Sequence, residues 1–485
     1  MRVFGFRMLQ RWGLPLVAGV CLLPFVVLSF RSHPALDDFA FAGAARHMGW
    51  WAFQRYEYLH WQGAYTTNAL MSSLNPLVGG RLDWYWLSPV AVLATLVLGA
   101  GLLSRALLPP GLRTGGAAVV LALFLVQFPN PAEGLYWLNA AWAYLLGAAA
   151  ALLWAAALVW ASRNPTVWRY GVAALLTAVL IGTNPVTGAV LTGVLVGVLL
   201  GSAAPARKGW LALCVVAALC LAFSLAAPGN SQRLHTVATE GAVPLSGGSL
   251  LAALVRASVA AAYTALNWLG NGILLAATVL LLPTMARLAA QPGLPLNRLT
   301  HRPLWLTVVA LGLVVAAFVP TYWAIQQPPP PRLRNVIYLG FVVGWLLTVY
   351  TWVAWWVRRG RPWPPLPGYV RAALGLWLPL ALLTDHNARL THAGIGQGHL
   401  PVVQAYRDWL GGDAARYDDA QHARYQQLRA TPADSVALPP LPVRPWTLFY
   451  YDISYNPSLW GNQSYAQFFG KKAVWVQPPV APGAP

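Results

Sequence analysis

The sequence predicts an all-α polytopic membrane protein of about eleven transmembrane helices, N-terminus inside and C-terminus outside, with a small mixed α/β segment at the C-terminal end. Three observations predict it. Of 485 residues, 58% are hydrophobic and 9% charged, where soluble domains carry about a quarter charged residues. Apolar runs of roughly 20 residues, each long enough to cross a ~30 Å hydrocarbon core as a helix, recur along the chain. The charges also segregate by sign once those runs are threaded through a bilayer.

The runs fall near 12–30, 85–103, 115–128, 138–160, 168–182, 186–201, 209–227, 268–286, 303–324, 336–357 and 367–384. The first is read as a span and not as a cleavable signal peptide: it is long, is broken by Pro15 and Pro24, and lacks a small-x-small site before Asp37. Segment 250–266 is apolar too and is read as a helix in the interface or packed on the bundle, because one more crossing would invert everything after it. With this threading, sixteen of the 32 basic residues, from Arg2 to Arg371, share the short loops on the N-terminal side with no acid. That side is cytoplasmic by the positive-inside rule. All 13 acids fall on the other side. The formal charge of +19 is therefore a topology signal, and nucleic acid is not an expected partner. Cys21, Cys214 and Cys220 lie inside spans, so the outer loops hold no disulfide and no zinc-type cysteine spacing.

Residues 1–384 form the membrane core, including an outer loop over 31–84; 385–477 form an outer C-terminal segment and 478–485 a disordered tail. The outer loop is rich in Trp and Tyr suited to the membrane interface, and 39–53 reads as one helix on the membrane surface. The C-terminal segment is helical over "PVVQAYRDWLGGDAARYDDAQHARYQQLRA". It then alternates enough in "WTLFYYDISYNPSLWGNQSYAQFFGKKAVWV" to suggest short strands. Arg407, Asp408, Asp413, Asp418 and Asp419 read as a solvated helix surface.

Within "HPALDDFAFAGAARHMGWWAF", residues 33–53, Asp37 and Asp38 stand directly behind the first span. One Asp before a helix accepts backbone N–H bonds as a cap, for about 1 kcal/mol. A cap takes one carboxylate, which leaves the other solvated or functional. At a membrane mouth it could serve as a general base, with partial burial raising its pKa. Arg233, Arg332 and Arg334 lie on the outer side close to spans, against the charge bias, and suit a phosphate; snorkelling or pairing with acids is the plainer account. His33, His47 and His60 share the outer loop with Asp37, Asp38, Glu57 and Asp83, but no spacing fixes a ligand set. A divalent cation is therefore left open as a cofactor. Glu133 pairs with an outer arginine or binds an acceptor; Asn139, Trp137 and Trp142 line a sugar pocket or anchor the interface.

Five elements in order carry a resemblance: "ALDDF", "HWQGAY", "EGLYWLNAAWAYLLG", "APGNSQR" and "RPWTLFYYDISYNPSLWGNQSYAQFFGKKAV". Together they resemble a family of bacterial multi-pass proteins that is similar to the GT-C glycosyltransferases. The resemblance implies a helical membrane core whose first outer loop carries the catalytic acid, in the bacterial inner membrane with the site facing the periplasm or exterior. It implies a sugar donor on polyprenyl phosphate and a glycan, lipid or protein acceptor. Asp37 or Asp38 matches the catalytic carboxylate, Arg233 a donor-phosphate position, and His60, Glu133 and Asn139 lie within the matched elements. Two positions depart from the pattern: Ala64 stands where relatives carry Arg, and Pro185 follows Asn184 where they often carry Glu. The competing classes are a non-catalytic scaffold for envelope polysaccharide assembly and a lipid flippase or transporter. Spans almost free of charge count against ion-coupled transport.

Overall fold

The computed structural model describes residues 2–202, 207–241, 249–299, 302–384 and 399–478, nearly all of them helical. Asp385 and the tail beyond 478 lie outside the described residues, as does the side chain of Glu240. In chain order, α1 (Arg2–Ser29) leads into a compact group, α2 (Asp37–Met48), α3 (Trp50–His60) and α4 (Tyr65–Ser73). The bundle continues with α5 (Leu87–Leu107), α6 (Arg113–Val126), α7 (Leu138–Ala140), α8 (Gly147–Arg163), α9 (Val167–Ile181), α10 (Pro185–Gly201) and α11 (Arg207–Leu225). After it come α12 (Pro228–Gly241), α13 (Leu250–Gly270), α14 (Ile273–Ala289), α15 (Pro295–Leu299), α16 (Pro303–Ile325), α17 (Pro331–Arg358) and α18 (Gly368–Thr384). The C-terminal segment holds α19 (Pro401–Leu410), α20 (Asp413–Ala430), β1 (Ser435–Leu438), α21 (Trp460–Phe468) and β2 (Ala473–Val476).

Among the described residues six helical stretches are long and apolar enough to cross a membrane, and six shorter apolar helices accompany them. Their outward faces identify the solvent. In α16 only 11% of the most apolar window is buried, and Leu304, Val308 and Leu311 are exposed. Water would make such a surface costly; lipid makes it neutral. Inside, α5 lies so close to α8 that a Cβ at Gly99 would stand 2.7 Å from the Ala149 carbonyl oxygen. Small residues at a helix crossing supply the close packing that holds membrane bundles together. Phe25, Phe124, Phe128, Tyr136, Trp268 and Tyr338 fill the main core.

One expectation about helices is corrected and one is narrowed. Residues 39–53 are not one helix: Gly49, at φ 77°, ends α2 and starts α3 at a new angle, a conformation glycine adopts without steric cost. Of the two readings of segment 250–266, the helix packed on the bundle is the one observed. The segment belongs to α13, which is long and apolar enough to span and packs on α16. Arg256 near its start donates to Gln326 at the end of α16 (3.3 Å). Trp268 near its end packs on Tyr338 and Phe341 of α17, with ring centroids 4.9 and 5.1 Å away. After a break at Asn271 and Gly272, α14 continues the same way along α17: Thr278 accepts from Trp345 at 2.9 Å, and Met285 clusters with Tyr350. Together α13 and α14 make one broken descent.

The C-terminal segment is mixed; of the stretch expected to hold strands only its end, β2, is extended, and its partner β1 lies outside that stretch. "WTLFYYDISYN" is irregular, Trp460–Phe468 is helical, and β2 pairs in parallel with β1, Ser435 opposite Ala473. Asp408 and Asp418 are not solvated surface groups. Asp408 is buried and accepts the Thr447 N–H at 2.7 Å, while Asp418 meets His33 of the first loop. A buried ion pair of Arg424 with Asp452 (2.7 Å) braces the segment, and Tyr406 donates to the Val20 carbonyl of α1 (2.7 Å).

The first loop is seated on the turn between α11 and α12 by backbone contact. Gly63 donates its N–H to Asn230 (3.1 Å), and a Cβ on Gly63 would stand 1.9 Å from the Ser224 carbonyl oxygen. Gly63→Ala is therefore expected to lower the thermal midpoint in detergent by the equivalent of about 1–3 kcal/mol. Gly101→Ala, where an added Cβ meets nothing within 4 Å, should leave it unchanged or raise it.

Candidate functional site

Asp37 and Asp38 are the first two residues of α2, and the chain enters them through Leu36 at φ 40°. A leucine in that region stores about 1–3 kcal/mol of strain, tolerated where the surroundings over-determine it. Asp38 does much of that determining. Its Oδ2 accepts the Ala35 N–H (3.0 Å) and the Tyr85 hydroxyl (2.8 Å), and its Oδ1 accepts the Asn139 N–H (2.9 Å). Asn75 donates to its backbone carbonyl (3.2 Å). One fully buried carboxylate thus joins the strained turn, the start of the α5 span and the turn ahead of α8.

Burial pushes the Asp38 carboxyl up to about 7, against the pull of those three donors. The network accommodates either state. The Tyr85 hydroxyl has one proton and two acceptors, Asp38 Oδ2 and the Tyr136 carbonyl (2.9 Å), while accepting the Leu138 N–H (3.0 Å). A protonated Asp38 donates to Tyr85 and frees the Tyr85 proton for Tyr136.

Asp37 has no such duty. It is half-buried and accepts one side-chain bond, from Asn139 Nδ2 (3.0 Å). Burial raises its pKa; the Asn139 bond and the charges of Arg233 and Arg332 oppose the rise. Those arginines come from different elements. Arg233, on α12, donates to Gln62 (2.9 Å) and lies over the Trp61 ring at 5.2 Å. Arg332, in the first turn of α17 behind its proline run, pairs with Glu133 (3.2 Å) and lies over Trp137 and Tyr144, 5.4 and 5.8 Å away. Trp137 stacks on Tyr450 of the C-terminal segment, centroids 4.0 Å apart at 14°. Its buried indole N–H has no partner among the described residues.

Of the residues expected from sequence, Asp37, Asp38, Asn139, Arg233, Arg332 and Glu133 are brought together. His60 and Arg334 are not. His60 is exposed, against Tyr56 and Gln232. Arg334 is two residues beyond Arg332, about 200° around the helix, and is exposed. The two departures have structural accounts. Ala64 is 3% exposed ahead of α4, where a longer side chain would not fit without rearrangement. Pro185 occupies the first position of α10, where its missing N–H costs nothing, and Asn184 caps that helix through the Thr187 N–H (2.8 Å).

Glu57 is the site residue that sequence reasoning underrated. It shares the buried face of α3 with Phe53, one turn away, and that spacing is its one sequence signal. Its Oε2 is buried without a hydrogen-bond partner among the described residues. Burial pushes its carboxyl up to about 8, with Arg233 pulling down and Asp37 pushing up. Among the described residues no three metal-ligating side chains converge on Asp37 and Glu57; the one grouping at ligand spacing is His33, Asp418 and His422.

No protein-family model matches the chain, and no curated protein or solved structure was found to match it. The resemblance to GT-C glycosyltransferases therefore rests on the five sequence elements.

Two stability predictions follow from the carboxyl groups. Asp38→Ala strands the Ala35 and Asn139 N–H groups, each costing about 1–3 kcal/mol when buried unpaired, while Tyr85 keeps the Tyr136 carbonyl, and it should lower the thermal midpoint far more than Asp37→Ala. Glu57 favours its neutral form in the fold, so its stabilising share is complete below the ordinary pKa of 4.5 and is lost as pH rises toward 8. Glu57→Gln should accordingly stabilise the protein at about pH 9 and make little difference at about pH 4, read by thermal unfolding at both.

Proposed function

We propose that the protein is a GT-C type glycosyltransferase that moves a sugar from a polyprenyl phosphate to an acceptor hydroxyl on the extracytoplasmic face of a bacterial inner membrane. The observation that carries the reading is the division of labour between the two aspartates. Asp38 is consumed by the strained turn, whereas Asp37 is half-buried with one side-chain partner and two arginines within electrostatic reach.

In this mechanism Asp37 is the general base. It takes the proton from the acceptor hydroxyl as that oxygen attacks the anomeric carbon. The bond from that carbon to the phosphate oxygen breaks with its electron pair, and polyprenyl phosphate leaves. Arg233 and Arg332 balance the developing charge, since hydrogen bonds to phosphate from arginine are strong and geometrically specific. A single displacement inverts the anomeric centre. The stacked Trp137 and Tyr450 form an aromatic wall suited to a sugar face, and the unpaired Trp137 N–H is a donor for a ligand oxygen. Eleven crossings, with α13 and α14 counted as one broken crossing, keep the acids on one side and the site on the outer face.

The test uses purified full-length protein in detergent with synthetic polyprenyl-phosphate sugars and cell-envelope acceptors. Asp37→Asn should retain bound donor by native mass spectrometry while losing turnover by about 10²–10⁴-fold, the usual worth of a general base. Arg233→Ala should weaken donor binding. Full turnover by Asp37→Asn would remove the carboxylate mechanism. Absence of donor binding by the wild type would transfer the assignment to a non-catalytic scaffold, and bilayer translocation of the lipid without transfer to a flippase.

A further inference from the structure

The chain segment entering the strained turn is fastened to the C-terminal segment by a second cluster, which the proposed reaction does not use. His33, four residues before Asp37, is buried with its Nε2 2.8 Å from Asp418 Oδ1. His422 lies one helical turn after Asp418 on α20, and its Nδ1 is 3.1 Å from the same oxygen. The two imidazoles approach edge to face, centroids 5.2 Å apart at 80°. Ligand atoms from all three residues lie within 4.8 Å of one another.

We propose that His33, Asp418 and His422 bind one divalent ion of zinc's chemistry, which clips α20 to the segment leading into Asp37. Two imidazoles and a carboxylate are borderline nitrogen and oxygen ligands. They suit zinc-like ions, whereas calcium and magnesium prefer oxygen alone. A tetrahedral ion about 2.0–2.1 Å from each ligand holds them roughly 3.3 Å apart. The observed 2.8 and 3.1 Å separations lie close to that value, and the third, between the two imidazole nitrogens, is within 4.8 Å.

His33 and Asp418 are already oriented by outer partners, whereas His422 Nδ1, 3.0 Å from the Asp418 backbone carbonyl, must turn from it to meet the ion. His33 Nδ1 lies 3.2 Å from the Tyr425 hydroxyl, which leaves Nε2 for the ion. Asp418 turns Oδ2 to Arg31 (3.4 Å), which leaves Oδ1. Such outer partners fix the tautomer and direction of metal ligands. The His422 side chain is 55% exposed, so the ion has an entry path and a water can complete its coordination. The ion joins positions 385 residues apart in sequence, and its binding energy would appear directly as folding stability.

The test is independent of the glycosyltransferase assignment. Full-length protein carrying no histidine tag is stripped with a chelator in detergent and titrated with Co(II), whose visible d–d bands report tetrahedral coordination, and then with Zn(II). One equivalent of cobalt per chain should bind and be displaced by zinc, and zinc should raise the thermal midpoint. His422→Ala removes an exposed side chain and leaves the fold intact; it should weaken binding by at least ~10-fold. Tyr425→Phe, which deletes the outer hydroxyl, should weaken it by about 10–100-fold. The proposal is overturned if the wild type takes up no cobalt, or if His422→Ala binds as tightly as the wild type. The cluster is then a hydrogen-bonded clamp in which both imidazoles donate to Asp418.

Discussion

The arrangement depends on one buried carboxylate. Asp38 binds Ala35, Tyr85 and Asn139, groups that belong to the first loop, the edge of the α5 span and the turn before α8. These bonds hold Leu36 in a conformation it would otherwise leave, and so fix where α2 begins. The direction in which Asp37 points follows from that start. A polar junction of this kind is costly if incompletely paired, which explains why an apolar chain spends a tyrosine hydroxyl and two backbone N–H groups on one acid.

Around that junction the site is assembled from remote pieces. Arg233 comes from α12, Arg332 from α17, Glu57 from α3 and Tyr450 from the C-terminal segment. Each cation is held over aromatic rings, an arrangement worth more when water is excluded. Four acids and two arginines then sit in a region of reduced solvation, where burial raises the carboxyls of Asp37, Asp38 and Glu57.

The helical membrane character was legible because it is written in long-range composition: apolar runs, scarce charges and their bias. The aspartate pair was legible because two adjacent acids behind an apolar run are conspicuous. What each aspartate does was not, since that depends on Tyr85 and Asn139, remote in sequence. Glu57 looked like one of several loop acids, and only its packing beside Phe53 reveals it as buried. Residues 250–266 read as lying outside the spans because an extra crossing would invert every later loop; the left-handed Gly272 sets α13 apart from α14, a break that composition alone does not mark. Strand β1 was missed because a parallel partner 38 residues away leaves no local turn signal.

The stack of Trp137 on Tyr450 sets an order of events during synthesis. Tyr450 is made 313 residues after Trp137, a lag of ~15–60 s at usual rates of chain elongation. Throughout that interval the spans can enter the bilayer while the aromatic wall lacks one face. A ribosome-bound chain that has not reached Tyr450 would hold the carboxylates and arginines without the surface that completes their enclosure, so the segment carrying Tyr450 decides when the site closes.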